Sequence, residues 1–184
     1  MSESKITQKA LANTMKELLS AKPLAKISVG EICSACGISR KSFYYHFRDK
    51  YELVNWIFYS EFLNDIADKE YSSGWRYLLD LCQYFYANRA FYLHAFEVAG
   101  QNSFSEYFYD VCGQLITDYF SQLAPDDKDY YVSFKYLAEM ILSTIVHWLK
   151  EDNPPEPQYF LKTGKAAMMV IIRLLLEHGE LDIS

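Results

Sequence analysis

Residues 27–50 read ISVGEICSACGISRKSFYYHFRDK, and the fold of the whole chain turns on this stretch. Ser28 is placed to cap a helix, with Glu31 three residues on to complete a capping box. Val29, Ile32, Cys33 and Cys36 recur at helical spacing and give that helix one apolar face. Gly37 tolerates a positive φ, so it can end the helix and turn the chain. Ser39 opens a second helix that runs to about His46. Phe43 and Phe47, four apart, pin this helix to a core. Arg40, Lys41, Ser42, Tyr44 and Tyr45 fall elsewhere on it, and packing requires none of them. The pattern is a helix-turn-helix whose second helix presents donors and positive charge.

Extended to residue 53, the run SVGEICSACGISRKSFYYHFRDKYEL resembles the DNA-binding domain of the tetracycline-repressor-like (TetR) family. The Gly-Ile-Ser turn, the Phe-Tyr-Tyr-His-Phe run and Lys50 carry the resemblance. It implies an all-α chain with a three-helix N-terminal DNA-binding domain over residues 1–50. A helical effector-binding and dimerisation domain would follow over residues 51–184, about nine helices in all. Arg40 and Lys41 would then reach base edges in a major groove, Arg in bidentate fashion to guanine. The resemblance aligns Ser42 and Tyr44 with base or phosphate contacts, and Tyr45, His46 and Lys50 with the sugar-phosphate backbone. Ser28 and Ser39 would add phosphate bonds at helix N-termini. Ordinary packing remains the alternative for Tyr44 and Tyr45, and a structural role for His46. Further along, GQNSFSEYF at residues 100–108 resembles the dihydroxyacetone-kinase-regulator branch of the same family.

Composition agrees with a helical globule: 51% of 184 residues are hydrophobic, with only seven Gly and five Pro. The net charge of −6 conceals an asymmetry. Residues 1–50 carry nine Lys/Arg against four Asp/Glu, a balance of +5, and residues 51–184 carry nine against twenty, a balance of −11. A basic head on an acidic body suits a reader of duplex DNA, attracted to phosphate at one end and repelled at the other. The opening residues read as an amphipathic helix rather than a leader. The longest apolar run, near Ala166 to Leu176, contains Arg173 and is too short to span a bilayer. A soluble cytoplasmic protein with no membrane partner is expected. Cys33 and Cys36 form a C-x-x-C, but no second pair lies near enough to complete a zinc site. Packed small residues are the preferred reading, and neither metal nor cofactor is expected.

Outward from the motif, a first helix spans residues 4–20 and stops at Pro23. Asp49 and Lys50 open a long fourth helix to about Lys69, with no flexible linker between head and body. Breaks follow at Ser72-Ser73-Gly74, at Asn88, at Gln101-Asn102-Ser103, and at Pro125 with Asp126, Asp127 and Asp129. The last two helices flank Asn153-Pro154-Pro155-Glu156-Pro157. The final one, with AAMMVIIRLLL at residues 166–176, is apolar nearly all round and needs a partner as well as a core. Met140, Thr144, Ala167, Met168, Ile171, Leu174 and Leu175 are the expected homodimer surface, which would pair two heads on a palindromic operator.

Most of the sixteen Tyr and twelve Phe fall in the body. Tyr84, Arg89, His94, Tyr107, His147 and Trp148 are candidates for the lining of a small-molecule effector pocket between Tyr77 and Trp148. The alternative for each is a place in a filled core, with a protein partner acting in place of a metabolite. An enzyme would need a nucleophile such as Cys82 or Cys112 beside His94 or His147. No motif surrounds any of these, and a non-enzymatic regulator is expected.

Overall fold

The computed structural model describes residues 3–98, 100, 102–122 and 128–177. Among them every regular element is helical: α1 (Glu3–Ala21), a 3-10 turn (Leu24–Lys26), α2 (Val29–Cys36), α3 (Arg40–His46), α4 (Lys50–Phe58), α5 (Asn64–Ile66), α6 (Gly74–Ala87), α7 (Arg89–Ala95), α8 (Phe104–Ser121), α9 (Lys128–Lys150) and α10 (Pro157–Glu177). A π-turn, Tyr59–Leu63, joins α4 to α5, so residues 50–66 form one rod and the described chain has nine rods. None of these helices is long and apolar enough to cross a membrane. Of the expected breaks, Gln101, Pro125, Asp126 and Asp127 lie outside the described residues, as does the Asp129 side chain.

The head forms as its caps dictate. The Ser28 hydroxyl oxygen accepts from Glu31 N at 3.1 Å, and Gly37 closes α2 at φ 72°. Ser39 accepts from Ser42 N at 3.1 Å, and the Asp49 carboxylate accepts from Tyr51 N and Glu52 N at 2.9 and 2.8 Å. The capping box at α2 is only half made. Glu31 turns its carboxylate to Lys22, and the ammonium there holds its pKa below the usual carboxylate range. Leu11, Met15, Leu19, Leu24, Ile27, Ile32, Phe43 and Phe47 bury a core between α1, α2 and α3, and Leu53, Val54 and Ile57 continue it along α4. Helix α1 also packs on α7, so head and body share a contact beyond the connecting rod.

The body is built around Phe58. Its ring stacks on Phe62 at 5.4 Å and on Phe85 at 5.6 Å, and meets Phe104 and Phe108 edge-on at 5.5 and 6.0 Å. Tyr84, Tyr92 and Tyr107 complete the ring of neighbours at 6.0, 6.2 and 6.5 Å. Beyond this cluster α8 lies along α9, and α6 meets α10. The corner between α9 and α10 is fixed by Trp148, whose indole N–H donates to Pro155 O at 3.0 Å. Its ring lies stacked between Phe160 at 4.7 Å and Tyr86 at 5.9 Å. Arg89 closes the end of α9 by donating to Leu149 O at 2.9 Å and to Glu151 O.

Phe58→Ala should lower the free energy of unfolding by about 3–5 kcal/mol, because seven rings cannot collapse into the space of one. Denaturant unfolding followed by circular dichroism measures it. A loss below about 1 kcal/mol would show that the cluster repacks without its centre.

Candidate nucleic-acid interface

The turn geometry of the head decides which side chains α3 exposes. With Phe43 and Phe47 buried, Arg40, Lys41, Tyr44 and Tyr45 face outward, and Tyr45 is 81% exposed. Ser42 and His46 are half-buried at the margins of that face. The Tyr44 ring meets Phe43 edge-on at 5.5 Å, and His46 is held between Tyr45 at 5.0 Å and Phe47 at 6.3 Å. Packing therefore orients Tyr44 and Tyr45 without covering them, while His46 is braced on both sides. Ser28 and Ser39 are exposed, and each hydroxyl uses its oxygen to accept a cap bond. The hydroxyl proton of each stays available to an external acceptor such as phosphate.

Two residues sit otherwise than the sequence reading placed them. Arg40 folds back over α2, with its guanidinium against the bare α-carbon of Gly30, where any added Cβ would clash. Lys50 does not extend toward solvent. Its ammonium donates to Leu24 O and to Ile27 O, both at 2.7 Å, and burial lowers its pKa. Two of its three N–H groups thus brace the loop between α1 and α2. Cys33 is buried in the head's core, where desolvation raises its thiol pKa, and Cys36 packs against that core.

Among the described residues, the candidate pocket side chains are engaged in separate contacts. Trp148 and Arg89 hold the α9–α10 corner, His94 Nδ1 lies 3.1 Å from Glu97, and His147 is exposed. Tyr84 and Tyr107 pack against Phe58, so the aromatic stripe fills the core rather than lining a space. Open volume of about 700 Å³ lies instead in a groove between α8 and α9, lined by residues that include Asp110, Gln114, Thr117, Lys135 and Glu139. Nothing in the hydrophobic pattern marked this groove, because its walls mix polar side chains with Tyr109 and Tyr131. Cys82 and Cys112 are fully buried, and burial pushes both thiols up to about 12, so neither supplies a thiolate at neutral pH.

Helices α9 and α10 each leave apolar side chains exposed. Val132, Tyr136 and Met140 recur every four residues on α9 and are about half exposed or more, with Thr144 one step further on. On α10, Met169, Val170, Ile171 and Leu174 are also more than half exposed, and Ala167 is exposed beside them. Met168 is half-buried, and the Leu175 side chain lies outside the described residues.

A capped helix-turn-helix on a wholly helical body with apolar side chains exposed on α9 and α10 defines the class: a helix-turn-helix regulator of the two-part helical type. Comparison with known proteins fixes it further. The family model of the bacterial regulatory proteins, tetR family, matches residues 13–57, and that of the transcriptional regulator C-terminal region matches residues 75–169. The chain belongs to the TetR family of transcriptional regulators. By sequence it is similar to the HTH-type dhaKLM operon transcriptional activator DhaS of Lactococcus lactis, 36% identical over 99 residues. That match spans 53% of this chain and 53% of the relative, about half the length of each. By structure it is similar to the dihydroxyacetone kinase operon activator DhaS, with a TM-score of 0.68 and 25% identity over 92% of this chain and 97% of that one. It also shares its fold with native NalD of Pseudomonas aeruginosa, with a TM-score of 0.62 and 19% identity over 91% and 96% of the two chains.

Replacing Lys50 by Met keeps the aliphatic stem and removes the donors from two loop carbonyls. The unfolding free energy should fall by about 1–3 kcal/mol, read by denaturant melts. Unchanged stability would show that the two carbonyl bonds do not hold the loop.

Proposed function

We propose that the protein binds operator DNA through α3 as a homodimer and controls transcription. The observation that carries this is the outward face of α3, where Lys41, Tyr44 and Tyr45 stay exposed while Phe43 and Phe47 are buried, with Arg40 exposed at the start of the helix. Arg40 and Lys41 read bases, with Ser42 and Tyr44 beside them. Tyr45, His46 and the hydroxyls of Ser28 and Ser39 contact the sugar-phosphate backbone. Arg40 must leave Gly30 to do so, a motion of one flexible side chain. The concentration of positive charge in residues 1–50 supports this end as the DNA-facing one. The functional division follows the same line, with residues 1–50 reading DNA and residues 51–184 pairing the chains and receiving the signal.

The exposed apolar side chains of α9 and α10 support the dimer. Two copies of these helices make a four-helix bundle about a two-fold axis, and that axis presents two α3 helices to half-sites about one helical turn apart. Similarity to DhaS, named as an activator by sequence and by structure, supports activation of an operon for dihydroxyacetone kinase chemistry. The filled aromatic core favours a signal received at the surface of the body over one inserted between Tyr77 and Trp148. A small polar molecule in the α8–α9 groove and a protein partner are the two forms it takes. Thermal shift with small polyhydroxy compounds separates the first from the second, which is read by co-purification.

Arg40→Ala and Lys41→Ala should each weaken binding to a selected duplex by about 1–3 kcal/mol and relax preference at one position, measured by titration at fixed salt. A wild-type protein that prefers no sequence at moderate salt would remove the regulator reading. Ile171→Asp should give monomers in analytical ultracentrifugation at micromolar concentration and a weakened DNA complex. Retention of a dimer by that variant would place the pairing surface elsewhere.

A further inference from the structure

Glu61 lies beyond the stretch matched by the N-terminal family model and within the π-turn that follows α4. Each residue advances a helix by about 100°, so the extra residue of a π-turn decides which side chains of the following segment face inward. Here it leaves Phe62 and Leu63 buried and directs Glu61 to the seam between α1 and α6. At that seam Lys16 of α1 donates to both carboxylate oxygens, at 2.8 and 3.1 Å. The Tyr84 hydroxyl of α6 approaches one of them at 3.2 Å, and the Tyr92 hydroxyl of α7 lies 2.7 Å from that of Tyr84.

The proton order along this chain is forced. A carboxylate only accepts, so Tyr84 donates its one proton to Glu61, and its oxygen then accepts from Tyr92. Tyr92 is fully buried, with its ring against Phe85 at 4.7 Å and Phe104 at 5.0 Å. A single polar path therefore leads from the centre of the aromatic core through Glu61 to the first helix of the head. As an ion pair alone, Lys16–Glu61 would contribute little, since both side chains are about a third exposed, 29% and 32%. Its place is what matters. Helix α1 packs on α2, α3 and α4 as well as on α7, so a shift of α1 against the body carries the recognition helix with it.

We propose that Glu61 is a positioning residue for DNA binding, which sets the pose of the head against the body and couples it to the aromatic core through Tyr84 and Tyr92. This rests on the DNA-binding reading above. When the core repacks and withdraws the Tyr84 hydroxyl, Glu61 keeps Lys16 but loses the bond that fixes it to α6. The two heads of a dimer then no longer hold one separation.

The test uses the full chain and a duplex selected by the wild-type protein from random sequence, together with versions of that duplex whose half-sites are one base pair closer or further apart. Glu61→Gln and Tyr84→Phe should each lower affinity for the selected duplex by about threefold or more and flatten the discrimination between spacings. Glu61→Gln should keep a thermal midpoint near wild type, and Tyr84→Phe should have a lowered midpoint, since Tyr92 loses its partner, but still be fully folded at the temperature of the titration. Lys16→Met with Tyr84→Phe should deviate from the product of the single effects by a similar factor, and Lys16→Arg should restore wild-type binding. Wild-type affinity and spacing preference in Glu61→Gln would overturn the proposal, as would affinity losses that only follow the loss of folded protein. A wild-type protein that selects no duplex overturns the DNA-binding reading and this inference together.

Discussion

Phe58 is the contact on which the rest of the molecule depends. It belongs to α4, the rod that leaves the head, yet its ring is surrounded by side chains of the π-turn and of α6, α7 and α8. A fully buried Phe contributes about 1.5–3 kcal/mol through its area, and ring pairs in edge or offset geometry add about 0.5–1.5 kcal/mol each. The body therefore has no core that excludes the connecting rod. Any rearrangement of α6, α7 or α8 meets the same ring, and the rod continues without interruption into the N-cap of α4 at Asp49.

The head was legible because its information is local. Ser28, Gly37, Ser39 and Asp49 each act on backbone groups within four residues, and such caps announce themselves in sequence. The rods were legible from their periodicity. The π-turn was missed although it left a trace: Val54, Phe58, Phe62 and Ile66 recur at strict fours, and three such steps drift about 120° around an ideal 3.6-residue helix. A wider turn absorbs part of that drift and keeps Phe62 inward.

Side-chain contacts were not legible where partners are distant in sequence. Lys50 finds carbonyls 23 and 26 residues away, Arg89 finds the end of α9, and Trp148 finds the chain beyond its own helix. A cation near a recognition helix and a polar group among aromatics look alike in sequence whether they meet a ligand or a backbone carbonyl. The aromatic stripe has the same ambiguity, since cavity walls and cavity fillers share one composition. The α8–α9 groove had a different difficulty, because walls that mix polar groups with Tyr109 and Tyr131 resemble any amphipathic helix face.

The packing of α1 bears on how such regulators diversify. A head joined only by its rod would be a cassette, exchangeable between relatives to give new operators under an old control. Here α1 touches α7 and sends Lys16 to Glu61, and Arg48 reaches the turn before α8, with Nη2 3.3 Å from Asn102 Oδ1. A transplanted head would bring its own α1 surface to a body shaped for another. New operator preference in this lineage is then reached more readily by substitution on the open face of α3 than by recombination at the boundary, and engineered chimeras inherit the same restriction.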